Sequence, residues 1–303
     1  MADMNVKIAG VGFKNPVITA SGTFGYGREY ENLFDLSLLG GISTKGTTGT
    51  KRNGNLSPRI AETPAGMLNS VGLQNPGIDK FIAVELPNLL TKNTTIVANI
   101  AGSTAEECAE VAAKLDATDV AMIELNISCP NVKQGGAAFG MSCEGAAAVT
   151  KMVRKATKKP LMIKLSPNVT NISSIAQAVE AEGADAVSLI NTLLGMRIDI
   201  NSRRPILKNN VGGLSGPAIF PVALRMVWQV SNAIKIPVVG MGGITTWEDG
   251  IEMMLAGASA IQVGAALFSN ANAAGEIIDG MNAFLDKKGI ASINDIVGKV
   301  QVW

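Results

Sequence analysis

Residues 161–192 read LMIKLSPNVTNISSIAQAVEAEGADAVSLINT, and this stretch contains a complete strand–helix–strand unit. Two apolar runs, at 161–166 and 186–192, have the composition of strands buried on both faces of a parallel sheet. Between them, residues 171–182 show the periodicity of an amphipathic helix, which ends near Gly183. The stretch therefore predicts a parallel sheet whose strands are connected by helices.

The same pattern recurs along the whole chain. Apolar runs occur at 16–21, 41–45, 95–101, 122–129, 161–166, 186–192, 237–242 and 260–265. Further helices are predicted at 104–115 and 246–255. A length of 303 residues would also fit two small domains, but no linker interrupts the pattern. We therefore predict one α/β domain over residues 1–303, a single (β/α)8 TIM barrel, with residues 46–84 forming an excursion over its C-terminal face.

Composition excludes several classes of function. Apolar residues make up 47% of the chain and charged residues 17%, which excludes disorder, and a net charge of +1 argues against a nucleic acid partner. The chain has no histidine. Its three cysteines are too few for a four-thiolate cluster or a disulfide framework. We expect a cytoplasmic protein without a signal peptide or a membrane span, because the uncharged stretch at 253–275 is broken by polar residues and glycines.

The working face of such a barrel lies at the carboxyl ends of its strands. The polar and small residues at these ends are Ser21, Lys45, Asn99, Asn126, Ser128, Cys129, Lys164, Asn191, Thr192, Gly242, Gly243 and Gly264. Glu124 is the only carboxylate residue nearby. Amides, two lysines and a thiol suit an uncharged or anionic ligand rich in carbonyl and N–H groups, and they argue against a metal site.

Two features at this face indicate a phosphorylated or electron-rich ligand. The glycines after strands seven and eight fit the phosphate site common in these barrels, although any one of them could be a simple tight turn. Lys45 and Lys164 follow apolar strand residues, where an ammonium needs a compensating anion or electron-rich ring. GVGFKN at 10–15 and GMGGIT at 240–245 each lack the third glycine of a dinucleotide fingerprint, so we predict no NAD site in this chain.

Cys129 stands apart from the other two cysteines. It follows an apolar strand, precedes Pro130 and opens a glycine-containing segment to Gly145 that could form a mobile lid. A generic cysteine is more often a small core residue, and that interpretation is kept for Cys108 and Cys143. The position of Cys129 instead favours a functional thiol.

Six blocks of sequence resemble one family over nearly the whole chain. They are SGTFG at 21–25, NSVGLQNPG at 69–77, ELNISCPN at 124–131, KLSPN at 164–168, NTLLGM at 191–196 and GMGGI at 240–244. In this order they resemble class 1 dihydroorotate dehydrogenases. SGTFG and ETPAGMLN at 62–69 resemble the NAD-linked 1B catalytic subunits most, with the fumarate-linked 1A form as the alternative.

The resemblance implies an FMN-dependent oxidoreductase that converts dihydroorotate to orotate in de novo pyrimidine biosynthesis. Cys129 would be the base and the flavin the hydride acceptor, with Lys164 facing the N1 and C2 carbonyl region of the flavin. The implied orotate-binding residues are Lys45, Asn69, Ser70, Val71, Gly72, Leu73, Asn126, Asn131, Asn191 and Thr192. The implied FMN-binding residues are Ser21, Lys45, Gly46, Asn99, Asn126, Lys164, Ile190, Gly216, Gly242, Gly243, Gly264 and Ala265.

The 1B resemblance also implies a partner. An FAD and iron–sulfur subunit would carry electrons to NAD, around a homodimer of catalytic chains within a heterotetramer. Other functions stay open on the residues alone: a flavin-free barrel lyase or isomerase, a non-catalytic scaffold, or a related barrel flavoenzyme that acts on dihydropyrimidine or dihydrouridine. The first would usually place a carboxylate pair or histidine at the strand ends, and a scaffold has no need of buried lysines.

Overall fold

The computed structural model describes residues 2–128 and 139–303. Eight parallel strands close into a barrel in which each strand pairs with its neighbours in chain order. The barrel strands, first to eighth, are Val17–Thr19, Gly41–Ser43, Thr95–Ile100, Met122–Asn126, Leu161–Lys164, Ala186–Leu189, Val238–Met241 and Ala260–Val263. The predicted (β/α)8 barrel is confirmed, and every predicted run contains one of its strands.

Each strand ends one to three residues before the end of the apolar run that predicted it. The fourth run, predicted over 122–129, gives a strand that ends at Asn126, and the sixth, predicted over 186–192, ends at Leu189. Asn99, Asn126 and Lys164 lie inside their strands, and the residues left over at the strand ends include Ser21, Lys45, Asn191, Thr192, Gly242 and Gly264. They begin the loops at the carboxyl face of the barrel, where chemistry in this fold is located.

Helices surround the barrel. The longer ones are Ala105–Asp116, Cys143–Ala156, Ile172–Ala181, Phe220–Ser231, Trp247–Leu255 and Ala273–Lys288. Shorter helical segments are Leu36–Leu38, Ile78–Lys80, Phe81–Glu85, Leu86–Leu90, Pro217–Ile219, Ala266–Ser269 and Ile293–Ile296. The predicted helices at 104–115, 171–182 and 246–255 are present and each begins one residue later than predicted, because Thr104, Asn171 and Thr246 serve as N-caps. They end at Asp116, Ala181 and Leu255.

The core lies between the barrel and this layer of helices. Ile42, Ile123 and Val187 on the strands and Val111 and Val179 on the helices are buried in one continuous cluster. Burial on both faces explains why the strands are apolar without alternation. Within the described ranges, no helix is long and apolar enough to cross a membrane.

A four-stranded antiparallel sheet covers the carboxyl face of the barrel. Two of its strands, Ile60–Thr63 and Gly66–Asn69, come from the predicted excursion at 46–84. The other two, Leu193–Gly195 and Gly212–Ser215, follow the sixth barrel strand and were not predicted. Two separate hairpins, also not predicted, are Val6–Ile8 with Val11–Phe13 and Ile198–Asp199 with Arg204–Pro205. The cover is therefore built jointly by two distant segments of the chain.

The helix after the seventh strand begins with a capping box that can be tested. The Thr246 hydroxyl accepts from the backbone N–H of Asp249, and the Asp249 carboxylate accepts from the backbone N–H of Thr246. We expect Thr246→Ala to lower the free energy of unfolding by about 1 kcal/mol, because it leaves a helix N–H without its cap. Urea denaturation measures the change, and Thr246→Ser should retain most of the stability. Equal stability of Thr246→Ala and the unmodified chain would contradict the role of this cap.

Candidate active site

A large cavity opens at the carboxyl ends of the barrel strands, beneath the covering sheet. Its space, including the open mouth, is about 1190 Å³. Its walls come from strand ends such as Ser21 and Lys164 and from the covering sheet, including Met67 and Ser215.

Most of the residues expected from the sequence line this one cavity. They are Ser21, Lys45, Asn69, Val71, Gly72, Leu73, Asn126, Lys164, Ile190, Asn191, Thr192, Gly216, Gly242, Gly243, Gly264 and Ala265. Cys129 and Asn131 lie outside the described residues, as does the first part of the predicted lid at 129–145. The end of that segment caps the helix Cys143–Ala156 through Ser142.

Three predicted residues lie behind the cavity wall instead of in it. Asn99 and Ser70 are completely buried. Gly46 is in close contact with Asn99, since a Cβ atom at Gly46 would come within 2.8 Å of the Asn99 Oδ1 atom. Their assignment to cofactor or substrate stays a prediction.

One side of the cavity is organised by a hydrogen-bond network beyond the fourth and sixth strands. The Asn191 Nδ2 atom donates to the Ser128 hydroxyl at 2.7 Å, and that hydroxyl donates to the Asn126 Oδ1 atom at 2.9 Å. The Ser128 backbone N–H also donates to Asn126 Oδ1, at 3.1 Å. Because its oxygen is engaged, Asn126 presents its amide nitrogen as a donor. Such a donor suits a ligand carbonyl or carboxylate oxygen.

Two lysines supply the positive charge of the cavity. Lys45 and Lys164 both line it, and the described residues of the lining include no aspartate or glutamate. Lys164 is the last residue of the fifth strand, is only 5% exposed, and donates from Nζ to the Ser21 hydroxyl at 3.2 Å. A cavity with two lysines, one of them buried, and no carboxylate in its described wall is suited to an anionic ligand.

A buried carboxylate lies behind Lys164. Glu124 is completely buried, and its oxygens accept from Ser43, Asn99, Ser188 and Gln262 at 2.6–2.8 Å. Burial by itself would raise the pKa of Glu124, but the Lys164 ammonium and the donors Ser188, Asn99 and Ser43 outweigh it and hold this pKa below its usual value. Glu124 is therefore ionised at neutral pH.

Gln262 is a cavity residue that the sequence analysis missed. It lies in the eighth strand, lines the cavity and donates from Nε2 to Glu124 at 2.8 Å. Its Oε1 atom is buried and has no hydrogen-bond partner among the described residues. The available signal was a glutamine within the apolar run Ala-Ile-Gln-Val, where a polar side chain needs buried partners.

The far end of the cavity is formed by glycines that follow the seventh strand. Gly242 and Gly243 have φ angles of 119° and 77°, which side-chain-bearing residues rarely adopt. A Cβ atom at Gly243 would also come within 2.7 Å of the backbone nitrogen of Phe220. The chain here can thus pass close to a ligand and present backbone N–H groups, as a phosphate requires.

These features fit FMN. The glycines suit its phosphate, the unpartnered Gln262 oxygen suits a ring N–H group, and the lysines suit an electron-rich ring and an anionic substrate. Among the described residues, no group of three cysteine, aspartate or glutamate side chains is placed to hold a metal ion.

Fold and cavity define a (β/α)8-barrel protein whose cavity, at the carboxyl ends of its strands, is suited to anionic ligands. A family model described as Dihydroorotate dehydrogenase matches residues 3–285. The chain belongs to the dihydroorotate dehydrogenase family, and it is an FMN-dependent oxidoreductase, as the resemblance implied.

Curated relatives extend over the full length of the chain. One from Parabacteroides distasonis is 55% identical over 305 residues, covering 100% of this chain and 99% of the relative. One from Geotalea uraniireducens is 56% identical over 297 residues, covering 98% of this chain and 97% of the relative. Both are named dihydroorotate dehydrogenase B (NAD(+)), catalytic subunit. The resemblance to class 1B is confirmed, and the class 1A, flavin-free and scaffold alternatives are not favoured.

The two described cysteines should differ in reactivity. Cys108 is buried in the helix Ala105–Asp116, and burial, reinforced by the charge of Glu107, raises its pKa to about 12. We expect Cys108 to resist iodoacetamide in the native chain at pH 8, because thiolate is the reacting form. Cys143 is partly exposed and should be alkylated. Mass spectrometry of the peptides measures both sites, and equal labelling of the two in the folded chain would refute the expectation.

Proposed function

We propose that this chain is the catalytic subunit of an NAD-linked dihydroorotate dehydrogenase, a single-domain cytoplasmic protein that oxidises dihydroorotate to orotate. The observation that carries the proposal is the cavity itself. Two lysines, several amides and a glycine cradle converge there, and the described wall contains no carboxylate. Membership of the family supports the reaction.

FMN would lie against the seventh and eighth strand ends, with its phosphate near Gly242, Gly243, Gly264 and Ala265 and its ring near Ser21 and Lys164. When bound, the flavin accepts a hydride. The Lys164 ammonium would stabilise the negative charge of the reduced ring, and the buried position of Lys164 strengthens that interaction because little water screens it.

Dihydroorotate would occupy the side of the cavity formed by Lys45, Asn69, Asn126, Asn191 and Thr192. Lys45 would pair with the substrate carboxylate, and the Asn126 amide nitrogen would donate to a ring carbonyl. Val71, Gly72 and Leu73 would close over the ring from the long excursion. This arrangement orients the ring so that its C6 hydride and its C5 proton leave on opposite sides.

Cys129 is the proposed base that takes the C5 proton. It follows directly after Ser128 in the sequence. The Ser128 hydroxyl donates a hydrogen bond to Asn126 and accepts one from Asn191, both on the proposed substrate side. No histidine or carboxylate of the described cavity wall competes for the role of base. The chain has no histidine, and the described wall contains no aspartate or glutamate.

Replacement of this thiol tests the mechanism. We expect Cys129→Ala to retain FMN and to bind orotate, yet to reduce its flavin with dihydroorotate about 10²-fold more slowly or worse, as for a lost general base. Stopped-flow absorbance of the flavin measures the rate. Cys108→Ala and Cys143→Ala are matched controls that should remain close to the unmodified rate. A normal rate in Cys129→Ala, with a large loss in either control, would overturn the assignment.

The electrons must then leave the flavin for another acceptor. The sequence has no complete dinucleotide fingerprint, and its three cysteines are too few for a four-thiolate cluster. The names of the relatives include both NAD and the words catalytic subunit. A separate FAD and iron–sulfur subunit is the proposed relay to NAD, in a heterotetramer built around a homodimer of this chain.

This proposal predicts how the isolated chain behaves. With dihydroorotate it should reduce an artificial dye but form little NADH, because it has no route to NAD of its own. Adding a purified FAD and iron–sulfur subunit should restore NADH formation, followed at 340 nm. Rapid NADH formation by the pure chain would exclude the two-subunit scheme, and efficient fumarate reduction would move the chain to the 1A type.

A further inference from the structure

The interior of the barrel contains a carboxylate whose hydrogen bonds are fully used. Glu124 Oε2 accepts from the Ser43 hydroxyl at 2.8 Å and from Asn99 Nδ2 at 2.6 Å. Glu124 Oε1 accepts from the Ser188 hydroxyl at 2.7 Å and from Gln262 Nε2 at 2.8 Å. The four donors come from four different strands, and together they satisfy the lone pairs of a carboxylate.

An ionised carboxylate can only accept hydrogen bonds. The amides of Asn99 and Gln262 must therefore both turn their nitrogens toward Glu124, whichever rotamer would otherwise suit them. Each amide then has its oxygen pointing away from the carboxylate. The charge of one buried residue thus determines the polarity of two amides.

Both of these oxygens lack a hydrogen-bond partner among the described residues, and both are buried. Gln262 lines the cavity, and Asn99 Oδ1 lies against Gly46, next to the cavity residue Lys45. Buried acceptors without donors are costly and uncommon. One of them in the cavity wall, and a second beside Gly46 behind that wall, indicate that the site is completed by a ligand that donates an N–H group.

We propose that Glu124 is a positioning residue for the flavin, holding the Asn99 and Gln262 amides so that their oxygens share the single N–H of the oxidised ring, N3–H, in a three-centre hydrogen bond. The inference rests on the FMN assignment. Glu124 itself does not line the cavity, so it acts through these two amides and through the charge it presents to Lys164.

Glu124→Gln separates this role from simple filling of the core. The variant has the same shape, but its amide must donate as well as accept. On whichever side its NH2 group lies, it faces Asn99 or Gln262, and that neighbour must rotate its oxygen inward. The rotated amide then presents NH2 to the flavin N–H, so two donors meet.

The test compares two flavins with the full-length chain after its cofactor has been removed. FMN carries the ring N3–H group, whereas N3-methyl-FMN does not. Fluorescence quenching gives a dissociation constant for each, and the ratio of the two reports how strongly the protein uses the N–H group. A loss of affinity that weakens both flavins equally would leave the ratio unchanged.

For the unmodified chain we expect N3-methyl-FMN to bind about tenfold more weakly than FMN, or worse, because buried acceptors lose their donor. In Glu124→Gln the ratio should fall below about threefold. Thr150→Val is the control, because Thr150 is also a buried polar residue but lies on the helix Cys143–Ala156 and does not line the cavity. It should leave the ratio as in the unmodified chain.

Gln262→Met provides a second variant should Glu124→Gln fail to fold. It removes one acceptor while Glu124 keeps its other three donors, and it should also lower the ratio. An unchanged ratio in either folded variant would overturn the proposal. Failure of the unmodified chain to bind FMN in the same titration would instead overturn the cofactor assignment together with the inference, so the two failures are distinguishable.

Discussion

The buried charge of Glu124 is the constraint on which the interior of the barrel depends. A carboxylate removed from water must be compensated by hydrogen bonds and an opposite charge, or the folded state loses several kcal/mol. Here the donors come from the second, third, sixth and eighth strands, and Lys164 contributes its charge from the fifth. These strands must close in the observed register for the donors to meet, as when Asn99 lies directly opposite Glu124.

The same strands divide into a structural part and a chemical part. Glu124 and Asn126 are two residues apart and so share one face of the fourth strand, but only Asn126 lines the cavity. Glu124 lies one layer deeper, where it is sealed from solvent. Side chains on strands are held more rigidly than those on loops, which suits residues that orient a cofactor. The covering sheet, formed by loop segments, closes the opposite side.

The sequence could predict the barrel because strands buried on both faces are continuous apolar runs, and it could predict the cavity because polar residues cluster at their carboxyl ends. It could not predict Leu193–Gly195 and Gly212–Ser215 as cover strands, since they are short, contain glycine and pair with residues far away in the chain. Ser43, Ser188 and Gln262 were missed for a related reason. Runs without alternation do not reveal which side chains face the barrel interior.

Placing the carboxylate behind the cavity rather than in it resolves a conflict between stability and binding. An ammonium such as Lys164, buried without a counter-charge, would destabilise the fold. A carboxylate in the wall would remove that cost but would repel an anionic substrate and a reduced flavin. At the position of Glu124 it compensates Lys164 from behind, while its own charge is spread over four hydrogen bonds. The described wall therefore remains electropositive toward the ligand, although the barrel interior as a whole contains charges of both signs.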